Sequence, residues 1–276
     1  MSRNIRQWLY YAVLWLISIV FFLPVLWIFL SAFKTKDQLL SIPPKWIFSP
    51  TFANIAKMVT EANFLKYMLN SVVISLTAVL IALIVSFLAS YSFSRFQPKG
   101  TDFLMFLLLS MRMVPAAAVV VPVYLMYSAL GWKDSYYGII LFYSMFSIPF
   151  SVWILKGFID GVSVRYDETA LVNGGSRLHV IFKVVLPQVK PGLVAAFIFN
   201  IIFVWNEFLF NFIIGGKKVT TIPVALATGL YKTDGIDWTF LGSLSLIYMI
   251  PLILVIYFFQ KYLLVGMTFG TVRGEV

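Results

Sequence analysis

Arg165-Tyr166-Asp167-Glu168-Thr169-Ala170, running on to Val184-Val185-Leu186-Pro187, is a polar, helix-prone stretch set between long apolar runs. A chain this apolar has few places to meet a water-soluble partner, and this is its longest well-patterned one. Ser163 can cap a helix start, and Asp167 and Glu168 fall in the first turns, where the helix dipole favours acids. Asn173-Gly174-Gly175 ends that helix, since Asn and Gly tolerate the left-handed conformation of a C-terminal cap. Ser176 can cap a second helix, Arg177 to Val185, which Pro187 closes. The stretch predicts two short helices at an angle. Val180, Ile181, Val184 and Val185 give the second an apolar face able to slot into a groove on another protein.

Outward from this stretch the chain reads as a membrane protein. Its 276 residues are 61% hydrophobic and 12% charged, against about 25% charged in soluble domains. A spanning helix needs roughly 20 apolar residues, and six segments qualify: 9–33, 67–94, 103–125, 136–155, 193–214 and 238–260. Pro24 lies in the first. Arg112, Pro115 and Pro122 interrupt the third, Pro149 lies in the fourth and Glu207 in the fifth. Backbone groups in lipid must be satisfied internally, so helices are the open-chain solution. No ten-residue alternation suggests a barrel. The fold class predicted is an all-α polytopic membrane protein of six transmembrane helices, one domain over 1–276.

The net charge of +10 does not indicate nucleic-acid binding, because Lys and Arg flank the apolar blocks as topology signals and headgroup contacts do. There is no cysteine, hence no disulfide, thiolate metal site or thiol nucleophile. His179 is the only histidine, which argues against a His-based metal site or proton relay. No phosphate-binding G-x-x-x-x-G-K-[ST] loop is present, and Gly215-Gly216-Lys217-Lys218 lacks its spacing. The chain is not predicted to be an enzyme, so energy must come from a partner chain, a gradient or nothing. The N-terminal run after Arg3 and Arg6 reads as a retained signal anchor. Arg3, Arg6, Arg95, Arg165, Arg177 and Arg273 all fall on the side of the termini, which puts both termini in the cytoplasm. Segment 156–190 is then an inside loop. The outside loop 34–66 carries Pro43-Pro44, Pro50 and an amphipathic piece near 52–58, and the outside loop 215–237 looks turn-rich.

The spacing of the opening stretch resembles a known motif. Permease subunits of bacterial ABC importers carry E-A-A, three residues, G, nine residues, I, one residue, L-P. Here Glu168-Thr169-Ala170, Gly174, Val184, Leu186 and Pro187 fall at those spacings, with Thr169 for the second Ala and Val184 for Ile. Arg112-Met113-Val114-Pro115, Trp205-Asn206-Glu207-Phe208 and the Pro-rich first external loop are similar to MalG-like permeases of carbohydrate importers. The resemblance implies a type I importer permease in the inner membrane that pairs with a second homologous permease. It implies two ABC ATPase subunits beneath, which hold ATP and Mg; this chain itself would hold no cofactor and no metal. An extracytoplasmic solute-binding protein would deliver a carbohydrate, and the short helix of the motif would insert into an ATPase cleft.

Ionisable side chains within spans are costly and face a cavity or a partner. Three roles are open to Arg112 and Glu207: pairing with each other, fixing helix packing, or lining the translocation path. With Asn206 they offer donors and acceptors for a sugar ring, with Trp205 a face for it. Tyr143, Ser144 and Ser147 before Pro149, and Asn200 and Asn211, form further polar groups, although Ser and Asn are also ordinary interhelical contacts. The candidates for substrate are thus Arg112, Trp205, Asn206, Glu207, Tyr143 and Ser147. Alternatives are an ion-gradient-driven secondary transporter using Glu207, or an ABC permease for a non-sugar solute. A secondary transporter usually shows more intramembrane acids and inverted repeats. An intramembrane enzyme would need paired catalytic groups that the spans lack.

Overall fold

The computed structural model describes residues 3–61, 63–229 and 236–268. In chain order the helices are α1 (Arg3–Ala32), α2 (Lys36–Leu39), α3 (Ala53–Glu61), α4 (Phe64–Arg95), α5 (Thr101–Met111), α6 (Ala116–Ala129), α7 (Tyr136–Asp160) and α8 (Val164–Val172). They continue as α9 (Arg177–His179), a π-helix (Val180–Val185), α10 (Leu186–Gln188), α11 (Lys190–Trp205), α12 (Leu209–Ile214), α13 (Ile222–Gly229) and α14 (Trp238–Thr268). There is no strand among the described residues. Four helices, α1, α4, α7 and α14, are long and apolar enough to cross a membrane.

The third and fifth predicted spans are broken helices. Helices α5 and α6 meet at 90°. Pro115 has no N–H to continue α5 and pushes the residue before it out of the helical region. The fifth span divides at Asn206–Phe208, where no proline stands, and the Glu207 side chain takes the N–H groups of Phe210 (3.0 Å) and Asn211 (3.3 Å) that start α12. The fourth span runs on to Asp160, five residues beyond its predicted end.

Contacts divide the chain into two compact units. The first is Met1–Lys66 with Ala225–Pro251. Here α1 is exposed on every side along 8–23 and becomes buried only near its end. Asn54 of α3 donates to the carbonyls of Ala32 (3.1 Å) and Lys34 (2.8 Å), holding the external segment against the end of α1. The predicted amphipathic piece of that segment is the helix α3. The Lys34 ammonium is buried over the rings of Trp27 (4.3 Å) and Phe48 (5.0 Å), and burial pushes its pKa down.

The second unit is Tyr67–Val224 with Leu252–Val276. Its core is built on α4, α7 and α11 around Ile74, Phe87, Tyr91, Leu155, Ile159 and Ile201. Lipid is as apolar as these side chains, so packing and interhelical hydrogen bonds must hold the helices. Serines supply them. Ser86 donates to the Ile148 carbonyl (3.2 Å), Ser90 to that of Val152 (3.0 Å), and Ser144 to that of Ala78 (3.1 Å). Each such bond is worth about 0.6 kcal/mol in a membrane. Trp153 ties α7 to the Met105 carbonyl of α5 (2.9 Å).

Segment 215–222 is less loop-like than its glycines suggested. Asp134 accepts the N–H groups of Lys218 (2.9 Å) and Val219 (3.1 Å), Asn70 donates to the carbonyls of Lys218 (3.0 Å) and Thr220 (2.8 Å), and Asn211 accepts from Thr221 (3.1 Å). The apolar run that follows forms α13, with Pro223 in its first turn, where a missing N–H costs nothing. The rest of the predicted turn-rich loop, 230–235, lies outside the described residues.

Candidate functional site

The 163–188 loop is two helical arms joined by a tight turn. Ser163 accepts the Arg165 N–H (3.4 Å) and starts α8. At the other end Gly174 takes a left-handed φ of +84°, and the Gly175 N–H reaches back to the Ala170 carbonyl (2.9 Å). Ser176 accepts the His179 N–H (3.2 Å) and starts the second arm. These caps lie where the residue types predicted them.

The second arm differs from expectation in two ways. Pro187 does not close it. The helical path passes through Pro187 to Gln188 and then bends by 74° into α11. A proline inside an α-helix clashes with the carbonyl four residues back; the wider π-helical turns of 180–185 shift that register and let the ring pass. The apolar face also turns inward. Val180 and Val185 are buried, Ile181 and Val184 are half-buried, and Ala170 and Leu186 pack against the same core. So of the motif residues, Ala170, Val184 and Leu186 hold the loop to its own chain. Glu168, Thr169, Gly174 and Pro187 remain exposed. Beside the turn, Val172 is 87% and Leu178 65% exposed, which makes the tip of the loop apolar as well as accessible.

What fixes this loop was not read from the sequence. Arg95, the last residue of α4, donates through Nε to Asp167 Oδ2 (3.0 Å) and through Nη2 to the Val162 carbonyl (2.8 Å). Tyr91, one turn earlier, donates to the same carboxylate (3.0 Å). The side chains of the ion pair are only 6% and 4% exposed. Breaking a buried pair by removing one partner costs about 3–5 kcal/mol. Next to Arg95, Ser94 donates to Asp160 Oδ1 (2.7 Å), whose other oxygen takes Lys156 (2.8 Å). Asp167 is therefore more than a helix-dipole acid, and Arg95 more than a topology charge. The signal available in sequence was a lone arginine ending a charge-free span.

The intramembrane charges do not pair with each other. Glu207 accepts from the Tyr143 hydroxyl as well as from the α12 N–H groups. Arg112, in the break between α5 and α6, places its guanidinium carbon 4.6 Å from the Phe203 ring, 4.8 Å from Phe146 and 5.6 Å from Phe150, contacts in which a cation is held by ring faces. Beside it lies a cavity of about 230 Å³ lined by Met111, Met126, Tyr127, Phe142 and Phe146 among others. Of the six substrate candidates, Tyr143, Ser147 and Trp205 are buried inside the unit, Glu207 and Arg112 are half-buried, and Asn206 is exposed. No group of three or more metal-ligating side chains occurs among the described residues.

Long apolar helices, two bent helix pairs and an anchored, apolar-tipped loop are the features of a polytopic membrane protein. Residues 78–268 match the family described as binding-protein-dependent transport system inner membrane component, and the chain belongs to that family. It is 31% identical over 272 residues to a probable ABC transporter permease protein of Sinorhizobium fredii, y4oR, covering 99% of this chain and 98% of the relative. It is 29% identical over 265 residues to the diacetylchitobiose uptake system permease protein DasC of Streptomyces coelicolor, covering 95% of each. Among solved structures it is similar in fold to a chain of a bacterial ABC transporter involved in the import of the acidic polysaccharide alginate. That likeness has a TM-score of 0.80 and 18% identity, and covers 95% of this chain and 98% of that one.

Proposed function

We propose that this chain is one of two permease subunits of an ATP-driven importer for a sugar or sugar derivative. The whole chain acts as one permease domain, with both termini and the 163–188 loop in the cytoplasm. The loop seats on an ABC ATPase that binds ATP and Mg, and a solute-binding protein delivers the sugar on the other side. The observation that carries this reading is the loop itself. Its motif residues Glu168, Thr169 and Gly174 and the apolar Val172 and Leu178 are exposed at the tip, while Asp167, Val180 and Val185 anchor its base. The uptake system named for DasC supports a sugar-type cargo.

We assign contact with the solute to Arg112 and Asn206, which are half-buried and exposed; Tyr143, Ser147 and Trp205 are buried. An ion-gradient-driven transporter using Glu207 is disfavoured, because both carboxylate oxygens already accept hydrogen bonds from Tyr143 and the α12 backbone. The test is uptake of labelled diacetylchitobiose and of an alginate oligosaccharide into proteoliposomes. These hold the chain with its co-purified partners and the solute-binding protein. The expected result is uptake that requires internal ATP, survives ionophores, and falls at least tenfold, about 1.4 kcal/mol, in Arg112→Ala. Uptake that needs an ion gradient and ignores ATP overturns the reading. No uptake of either probe, with ATP hydrolysis by the complex intact, leaves the importer assignment standing and excludes these two sugars as cargo.

A further inference from the structure

The two arms of the 163–188 loop are joined to the membrane helices in different ways. The first arm is clamped. Arg95 at the end of α4 reaches Asp167 of α8 through two nitrogens (3.0 and 3.4 Å) and the Val162 carbonyl at 2.8 Å. Ser94 holds Asp160 at the end of α7 (2.7 Å). Two consecutive residues of α4 thus grip both sides of the turn between α7 and α8. The Tyr91 hydroxyl adds a third bond to the Asp167 carboxylate, and its ring packs edge-on against Phe96. The pair is enclosed by protein, where Coulomb attraction is little screened. The second arm meets α4 without a buried ion pair: Arg177 donates to the Tyr91 hydroxyl and lies over the Phe96 ring (5.5 Å), and Phe182 packs on Phe87 (6.5 Å). It passes into α11 through the π-helix 180–185 and a 74° bend, and π-turns inside helices are departures from the regular hydrogen-bond ladder that concentrate at functional sites.

We infer that Arg95 is a positioning residue for energy coupling: it makes α8 move as one body with the ends of α4 and α7, so that displacement of the loop tip is taken up at the π-helix and delivered to α11. The inference rests on the proposed seating of the loop on an ATPase. It assigns a rigid side and a compliant side to the loop, and a single buried ion pair as the cause of the difference. A load applied at Val172 and Leu178 would otherwise divide between the two arms. With α8 fixed to α4, relative motion is confined to the arm that leads to α11, the helix whose far end carries Asn206 and the Glu207 break.

The chain has no cysteine, so introduced cysteines are unique labelling sites within it, and the chain is labelled before assembly with its partners. Val172→Cys at the tip, Leu88→Cys on α4 and Lys190→Cys at the start of α11 are all at exposed positions. Spin-label distances are measured for the pairs 88–172 and 172–190 in the assembled complex, with ADP and with ATP plus vanadate. The expected result is an 88–172 distance that stays within about 2 Å, the scale of helix shifts at packed interfaces, and a 172–190 distance that changes by more. In Arg95→Gln the 88–172 distribution broadens and shifts with nucleotide, and ATP hydrolysis persists while transport per ATP falls severalfold. Arg95→Asp combined with Asp167→Arg restores the narrow distribution, which a mere folding role for either residue does not predict. A wild-type 88–172 distance that moves as much as 172–190, or an Arg95→Gln complex with unchanged distances and coupling, overturns the inference. Should Arg95→Gln fail to assemble, the wild-type pair of distances decides alone. If no ATPase accompanies the wild-type chain, it is the functional reading that fails.

Discussion

Asp237 shows how much one side chain can be asked to do at the head of a long helix. It stands just before α14, accepting the Phe240 N–H (3.0 Å) and the Thr239 hydroxyl (2.8 Å), with Lys57 at 3.4 Å. Burial alone would raise its pKa; the Phe240 N–H, the Thr239 hydroxyl and the Lys57 ammonium outweigh that and hold it below the ordinary carboxylate value. A carboxylate lowered in the folded state stabilises fully above its unfolded pKa of about 3.9, and that contribution is lost as pH falls through the lower folded value. The Lys57 share is small because that pair is 48% and 28% exposed. Asp237→Ala should therefore cost about 1 kcal/mol at pH 7, seen as a lower Tm in detergent, and the gap to wild type should narrow below pH 4. A gap that widens on acidification contradicts the assignment. Residue roles of this local kind were partly legible. Ser163, Ser176 and Gly174 were readable as caps and turn because cap chemistry acts within a few residues. Arg95 and Asp167 were not, because their pairing depends on how α4 meets the loop, and no spacing encodes it.

At the scale of elements, the contact between α7 and α11 is set by the absence of a side chain. A Cβ on Gly192 would overlap the root of the Phe158 ring, so the two helices approach only because position 192 is bare. Gly192→Ala should cost about 1–3 kcal/mol through overpacking, with a larger loss for Gly192→Val. Thermal unfolding in detergent reads both, and an unchanged Tm in Gly192→Val would show that α11 is free to shift away. Existence and order of the six apolar segments were legible, since apolar length is an unambiguous signal. Their breaks were less so. Pro115 announced the bend between α5 and α6. Nothing announced the break at 206–208, where a side chain, Glu207, replaces the missing backbone partners. The π-helix was invisible for a related reason: Pro187 looked like a terminator, and only the altered register upstream allows the helix to pass it.

For the molecule as a whole, the proposed seat of the ATPase is the loop tip, since the chain carries no nucleotide-binding motif of its own. The sequence motif singled out the loop, but it did not say which motif residues face outward. Ala170, Val184 and Leu186 serve the chain's own packing, and the tip gains Val172 and Leu178, which the motif does not include. The family is thus legible in spacing, whereas which motif residues are buried and which exposed requires the fold. The most direct test uses Gly174→Asp. A Cβ there finds open space within 4 Å, and Asp is one of the few residues that visit left-handed backbone, so the variant changes the charge and shape of the tip at the cost of local strain confined to the turn. The chain and its variant are isolated from membranes in mild detergent and the accompanying subunits identified. If the tip docks the ATPase, wild type brings a second permease and an ATPase, and Gly174→Asp inserts normally but recovers the ATPase at least tenfold less, a loss of about 1.4 kcal/mol. Undiminished ATPase recovery by the variant, or a wild-type chain isolated alone that transports under an ion gradient, would contradict it.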